Sequence, residues 1–262
     1  MGFFAKWRIH KTVRNRDVVE VSEQDGVRSL HLGDDTIHSA MRISAPNDLE
    51  LAYTRSMMAF LLFLPKPERV LMIGLGGGSL LKFIHHHMPD VTSTVVEINP
   101  QVSQVAWSHF FLPLEDDRFK LEIADGSEYV PAHPASADVL MLDGYDADQH
   151  VESLASQAFY DSCAEALTED GVLVVNLWGS DARFDAYLKR IETSFNGLVL
   201  CLPAEKRGNI IVFGFRKSPG MVRWAELRER AKALTDRYGL EFLKFVEGLK
   251  DTNLHSEKRL LL

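Results

Sequence analysis

Residues 69–83 read RVLMIGLGGGSLLKF. The apolar run from Val70 to Ile73 has the look of a strand, and it opens directly into Gly74-Leu75-Gly76-Gly77-Gly78. The stretch beyond, SLLKFIHHH, carries its apolar residues at helical spacing. Strand, glycine turn and helix in that order let the backbone approach a ligand where a Cβ would block it, and aim the free N–H groups of a helix start at the ligand. Gly74, Gly76, Gly77 and Gly78 are therefore candidate contacts to a nucleotide or nucleoside. The same turn also serves close packing, so the loop alone does not decide.

Working outward, seven strand-like runs follow Pro67: RVLMIGL, TSTVVEI, FKLEIAD, ADVLMLDG, GVLVVNLW, LVLCLP and NIIVFGF. Helical stretches over 79–87, 100–110, 153–166 and 183–195 alternate with them, which predicts an α/β fold with a mostly parallel sheet covered by helices. The last two runs, joined by residues 204–208, read as a hairpin closing the sheet. Upstream, VVEVSEQ, Asp25-Gly26, VRSLHLG, Asp34-Asp35 and TIHSAMRI give the alternation and turn steps of β-hairpins, and DLELAYTRSMMAFLLFL, ending at Leu64, reads as a helix. Trp224, Leu227, Ala231, Leu234 and Tyr238 fall on one face of a tail helix. Phe242, Phe245, Val246 and Leu249 mark a second. The expected organisation is an N-terminal β-hairpin domain over 1–46, a Rossmann-like nucleoside-binding catalytic domain over 47–217 and a helical tail over 218–262.

Composition narrows the function. Of 262 residues, 46% are hydrophobic and 25% charged, ample for a buried core. Neither a membrane-length apolar stretch nor a signal-peptide pattern is present. Cys163 and Cys201 form no CxxC or His-Cys cluster, so neither a disulfide framework nor a metal site is indicated and a cytoplasmic setting is expected; both read as buried packing residues. Residues 65–215 carry 10 basic and 22 acidic groups, which disfavours nucleic acid and suits a cationic partner. His85, His86 and His87 are consecutive on a helix, about 100° apart, and cannot converge on one ion. Gly-x-Ser-x-Gly, a P-loop lysine and HExxH are absent, leaving hydrolase and kinase readings without support.

The acids are more telling. Glu97 ends the second strand of the series, where a carboxylate accepts hydrogen bonds from a ribose diol; Asp125-Gly126 ends the third and Asp143 the fourth. Each alone could be a cap or turn residue. Three at successive carboxyl ends behind a glycine loop point to a site.

GLGGGSLLKF, VVEINP, IADGSEYV and DVLMLDGYD, in this order, resemble the spermidine synthase (polyamine aminopropyltransferase) family, which uses the class I adenosylmethionine-dependent methyltransferase-like fold with a seven-stranded sheet. The resemblance runs from about Val18 to Phe215. It implies that Glu97 binds ribose hydroxyls, that Asp125 and Gly126 hold the adenine, and that the glycine loop lies beside a sulfonium. The family's D-x-x-D is matched by Asp143-Gly144-Tyr145-Asp146, which implies Asp143 as base and Asp146 as a binder of the amine. Tyr53 stands where the family keeps a tyrosine, and His38 where it has a glutamine near the donor. An ammonium has no lone pair, and removing its proton at pH 7 from a pKa of ~10.4 costs ~4.6 kcal/mol, work that a placed carboxylate can share. The implied co-substrate is decarboxylated S-adenosylmethionine or S-adenosylmethionine itself, without a metal; the partner is a small amine, and the assembly a homodimer. Departures from the family pattern, besides His38, include Thr54 in place of a histidine and Ala147-Asp148-Gln149-His150 in place of a proline and glycine-proline gate. In addition, the acid of the glycine loop is Gly77 and Arg55 replaces a glutamate, changes that favour a donor arm bearing a carboxylate. A methyltransferase and a catalytically silent nucleoside-binding protein of the same fold are the alternatives.

Overall fold

Period-two alternation folds the N-terminal segment into an antiparallel four-stranded sheet: β1 (Trp7–Arg14), β2 (Asp17–Gln24), β3 (Val27–Leu32) and β4 (Ser39–Arg42) in sequential order. The computed structural model describes residues 7–14, 17–143, 151–204, 208–220 and 222–262. Asp25 and Gly26 both take positive φ, 52° and 74°, the left-handed pair that a two-residue hairpin needs. Val19, Val21, Leu30 and Met41 are buried toward the rest of the molecule. β1 was not foreseen. Its WRIHKTVR carries only a broken alternation, with Lys11 between Ile9 and Val13, and it is held by pairing with β2 and by Arg8 and Lys11 on Glu20, both at 2.6 Å.

The helix read over 48–64 is shorter than its pattern. Only α1 (Ala52–Met57) is α-helical; Met58–Leu62 tightens into a 3-10 turn. Every side chain from Met57 to Leu62 is buried, so this apolar stretch is a plug rather than an amphipathic helix.

The central sheet follows as β5 (Arg69–Ile73), α2 (Ser79–His87), β6 (Thr92–Glu97), α3 (Pro100–His109), β7 (Phe119–Ile123), α4 (Gly126–Tyr129), β8 (Ala137–Leu142), α5 (Val151–Leu154), α6 (Gln157–Ala166), β9 (Leu167–Trp178), α7 (Phe184–Ser194), β10 (Val199–Pro203) and β11 (Asn209–Phe215). Its seven strands lie in the order β10-β11-β9-β8-β5-β6-β7, parallel except for the terminal β10–β11 hairpin. Val70 and Met72 face one layer of the core and Leu71 and Ile73 the other, as strand alternation requires. The helix expected over 153–166 is interrupted at Ala155, and Ser156 caps the second piece by accepting from the Phe159 N–H at 3.1 Å.

The tail adds β12 (Val222–Arg223), α8 (Trp224–Tyr238), α9 (Phe242–Thr252) and β13 (Arg259–Leu260). Both helices bury the faces their spacing marked. Asn253, just past α9, accepts from the Cys201 N–H at 2.8 Å and donates to its carbonyl at 2.7 Å, so the tail covers the edge strand β10. Cys163 is buried as expected; Cys201, on that edge, is only half-buried. Among the described residues no helix is long and apolar enough to cross a membrane.

Candidate active site

From β5 the chain winds outward to β6 and β7, then returns to place β8 and β9 on the other side. Ligands in such sheets bind beyond the carboxyl ends where the winding reverses, here between β5 and β8. A cavity of about 1100 Å³ opens at that place. Gly74, Gly76, Glu97, Asp125, Gly126 and Asp143 line one part, and the N-terminal sheet and α1 contribute His38, Ser39 and Tyr53.

The glycine loop divides by role. Gly74, at φ 95°, and Gly76 lie on the cavity wall, whereas Gly77 and Gly78 are absent from it. A Cβ on Gly77 would meet the Phe110 ring and the Ser39 Oγ, both at 2.8 Å. The position that the family gives to an acid is thus filled by neighbouring side chains. Ser39 and Ser79 hydroxyls lie 3.2 Å apart, which ties β4 to the start of α2.

Glu97 is buried. Its Oε2 accepts from the Leu75 N–H at 2.9 Å and its Oε1 from the Asn99 N–H at 2.8 Å. Burial raises its pKa above the usual carboxylate value, and the backbone donors pull it back. Against backbone donors from Leu75, Asn99 and Ile98, the carboxylate's roughly four acceptor positions leave room for a further donor. Asp125 is both cap and wall: Oδ1 accepts from the Ser127 N–H and hydroxyl, each at 2.8 Å, while Oδ2 has no partner among the described residues. His38 accepts at Nδ1 from the Leu32 N–H at 3.2 Å.

Asp143 follows β8. Its Oδ1 accepts from the Asn176 side-chain amide at 2.9 Å, and the Tyr53 hydroxyl stands 3.3 Å from Oδ2. That hydroxyl is also 3.0 Å from the His38 carbonyl, so one proton serves two acceptors. Burial pushes Asp143 up from 3.8 to about 7, with Asn176 and Tyr53 opposing the rise. Burial and the adjacent carboxylate push Tyr53 upward, which keeps it protonated.

Asn176 was missed by the sequence reading. The signal was available: one carboxamide inside the apolar run GVLVVNLW is an expense unless it has a partner. Asn209 was also missed, as were Asp34 and Asp181 on the same wall. Asp181 is occupied by Arg183 at 3.0 Å. Trp178 reaches the cavity with half its surface exposed. Arg55, expected near the donor arm, instead donates to Glu241 at 2.9 Å and to the carbonyls of Leu49 and Glu50, outside the cavity wall. Asp146 lies outside the described residues. Among the described residues no group of three metal-binding side chains occurs.

Residues 50–201, more than half of the chain, match the model of the spermine/spermidine synthase domain. The chain belongs to the spermine/spermidine synthase family. The polyamine aminopropyltransferase of Chromobacterium violaceum is 44% identical over 97% of this chain and 98% of its own. A spermidine synthase in complex with the transition-state analogue AdoDATO superposes with a TM-score of 0.73 over 93% of this chain and 85% of that one; at 20% identity it speaks for the fold alone. Human methyltransferase-like protein 13 in complex with SAH has a TM-score of 0.65 and 30% identity over 72% of this chain and 92% of that one. Family membership thus accords with the fold expected from the sequence.

Proposed function

We propose that the chain transfers an aminopropyl group from decarboxylated S-adenosylmethionine to an amine such as putrescine. The observation that carries this is Asp143: a carboxylate at the carboxyl end of β8, on the wall of the glycine-loop cavity, gripped by Asn176 and Tyr53. The cavity exceeds the roughly 300–1,000 Å³ of common small-molecule sites, room for a nucleoside and an amine chain together.

In this reading Glu97 takes the ribose hydroxyls, and Asp125 with Gly126 takes the base. Gly74 and Gly76 admit the sulfonium end, His38 closes the donor side, and Gly77 and Gly78 shape the loop from behind. The amine nitrogen attacks the methylene beside the sulfonium, the carbon–sulfur bond breaks onto sulfur, and neutral methylthioadenosine leaves. The proton that freed the nitrogen lone pair passes to Asp143 and then to water. A carboxylate near 7 rather than 3.8 narrows the mismatch with an amine by about 3 units, or ~4 kcal/mol of proton-transfer cost. Asp146 belongs to this proposal as a binder of the amine. So do the homodimer and the cytoplasmic setting that the family resemblance implies.

The test is a turnover assay with decarboxylated S-adenosylmethionine and putrescine, reading methylthioadenosine and spermidine by mass spectrometry. Both products in equal amounts are expected. Methylated product formed from S-adenosylmethionine, with no aminopropyl transfer, would move the protein to the methyltransferases. Nucleoside binding without turnover of either donor would make it a silent member.

A further inference from the structure

Asn209 sits at the start of β11, directly across the strand pair from Trp178. Its amide Nδ2 donates to Asn176 Oδ1 at 2.8 Å, and Asn176 Nδ2 in turn donates to Asp143 Oδ1 at 2.9 Å. Two carboxamides and one carboxylate thus form a chain across β11, β9 and the end of β8. The backbone beneath Asn209 is fixed at close quarters. Gly179 donates to the Gly208 carbonyl at 3.1 Å and has no room for a Cβ, and the Ala204 N–H donates to the Asn209 carbonyl at 2.9 Å.

An amide has an acceptor at one end and donors at the other, and only its partners decide which end faces where. With donors pointing along the chain toward Asp143, the terminal partner must accept, and an ionised carboxylate does so. With the chain reversed, Asn176 would present Oδ1, which suits only a protonated carboxyl. Amide polarity and the charge on Asp143 are therefore coupled: the chain as observed favours the carboxylate, which accepts more strongly than the carbonyl of a protonated carboxyl. We infer that Asn209 is a positioning residue that sets the polarity of the Asn176 amide and so holds Asp143 in its ionised, proton-accepting form.

The other ionisable groups on the cavity wall are Asp34 and His38 from the N-terminal sheet, Tyr53 from α1, Glu97 from β6, Asp125 before α4, Asp181 with Arg183 between β9 and α7, and Tyr187 from α7. Tyr53 and Asn176 are the side chains bonded to Asp143 among the described residues. Tyr53 can only donate to the carboxylate while it keeps its proton, so the amide chain is the contact able to change sign.

The inference rests on the proposed role of Asp143 as base, and its test does not need turnover. In ligand-free protein labelled with 13C at aspartate carboxyls, the Asp143 resonance, assigned by its loss in Asp143→Asn, is titrated from pH 4 to 9. Asn209→Asp can accept but not donate, and should raise the Asp143 midpoint by more than one pH unit, a tenfold change in proton affinity. Its added negative charge acts through space as well, so the titration is repeated in an Asn176→Leu background, where the charge remains and the chain is cut. The step should then shrink to less than half. Asn209→Leu, which lacks donor and acceptor, should give a smaller rise that also disappears with Asn176→Leu, and serves if the aspartate variant does not fold. Equal steps in both backgrounds, or no step in either, would overturn the inference. In the active enzyme the acidic limb of kcat/KM should move by the same amount as the resonance. A shifted resonance in a protein that transfers no aminopropyl group would leave this inference standing and sink the proposed function instead.

Discussion

Replacing Asp143 by Asn should abolish transfer and, at neutral pH and above, make the protein more stable. Asp143 is raised from 3.8 to about 7 by burial, so the folded state holds the proton more tightly than the unfolded chain. For a raised carboxyl the contribution to stability is complete below the unfolded value and is lost as pH climbs through the folded one. About 3 units at ~1.36 kcal/mol each set an upper bound near 4 kcal/mol for what the wild type loses between pH 4 and pH 7 or so. Asn has no charge to bury. It can present its carbonyl to Asn176 and its amide to the Tyr53 oxygen, whose own proton then goes to the His38 carbonyl, so the variant escapes that loss. For a chain of this size, half the bound, ~2 kcal/mol, corresponds to roughly 4–8 °C in Tm. Thermal unfolding of both proteins at half-unit steps from pH 4 to 9 measures it. The two Tm curves should run close together near pH 4, separate with the variant above through about 7, and stay apart beyond. Curves that remain parallel throughout would refute both the raised pKa and the burial argued for it.

Three further outcomes are expected. Tyr53→Phe removes the hydroxyl that lies 3.3 Å from Asp143 and lowers its pKa, so the acidic limb of kcat/KM should move upward and activity at pH 7 should fall severalfold, while activity at pH 9 is nearly restored; a uniform loss at every pH would contradict this. Glu97→Gln retains one acceptor oxygen for the backbone donors of Leu75, Asn99 and Ile98, and removes the charge proposed to face a diol; calorimetry should show methylthioadenosine binding weakened at least tenfold, and an unchanged Kd would remove Glu97 from the ligand. Lys82 is buried, donates to the Phe110 carbonyl at 2.7 Å, and is lowered to about 8, so the stability it contributes is present above the unfolded value and lost as pH falls through about 8. Urea unfolding at pH 7 and pH 10.5 should show the wild type gaining stability with pH and Lys82→Met losing most of that dependence.

The sheet was legible because its strands are apolar runs of the right length between glycine, proline and acid punctuation, and the three carboxyl-end acids fell in register for the same reason. What escaped has physical causes. β1 owes its place to pairing and to ion pairs on Glu20 rather than to an apolar face. The stretch 48–64 promised a helix, yet α1 stops at Met57, since a plug buried on all sides obeys packing rather than helical period. β9 begins at Leu167, earlier than its pattern, because Leu167 already pairs with Ala137, while Thr168–Gly171 bulge out before the ladder resumes at Val139 and Val172. Within the site, the spacing of glycines could not separate Gly74 and Gly76 on the wall from Gly77 and Gly78 behind it. That distinction depends on Ser39 and Phe110 behind Gly77 and on Leu112 behind Gly78, residues distant in sequence. Arg55 could not be placed without knowing that Glu241 of the tail returns to meet it.

The cavity's two walls differ in how the chain builds them. In the proposed reading the donor wall comes mostly from the continuous stretch Gly74 to Gly126, with His38 beside it, whereas the facing wall is gathered from pieces far apart: Tyr53, Asp143, Asn176 with Trp178, and Asn209. Substitutions on the scattered wall leave the continuous one untouched, and each piece can drift by itself. Inheritance of the donor site and diversification of the acceptor site are thereby decoupled, so a lineage built on this frame can change what it modifies while keeping the reagent it modifies with.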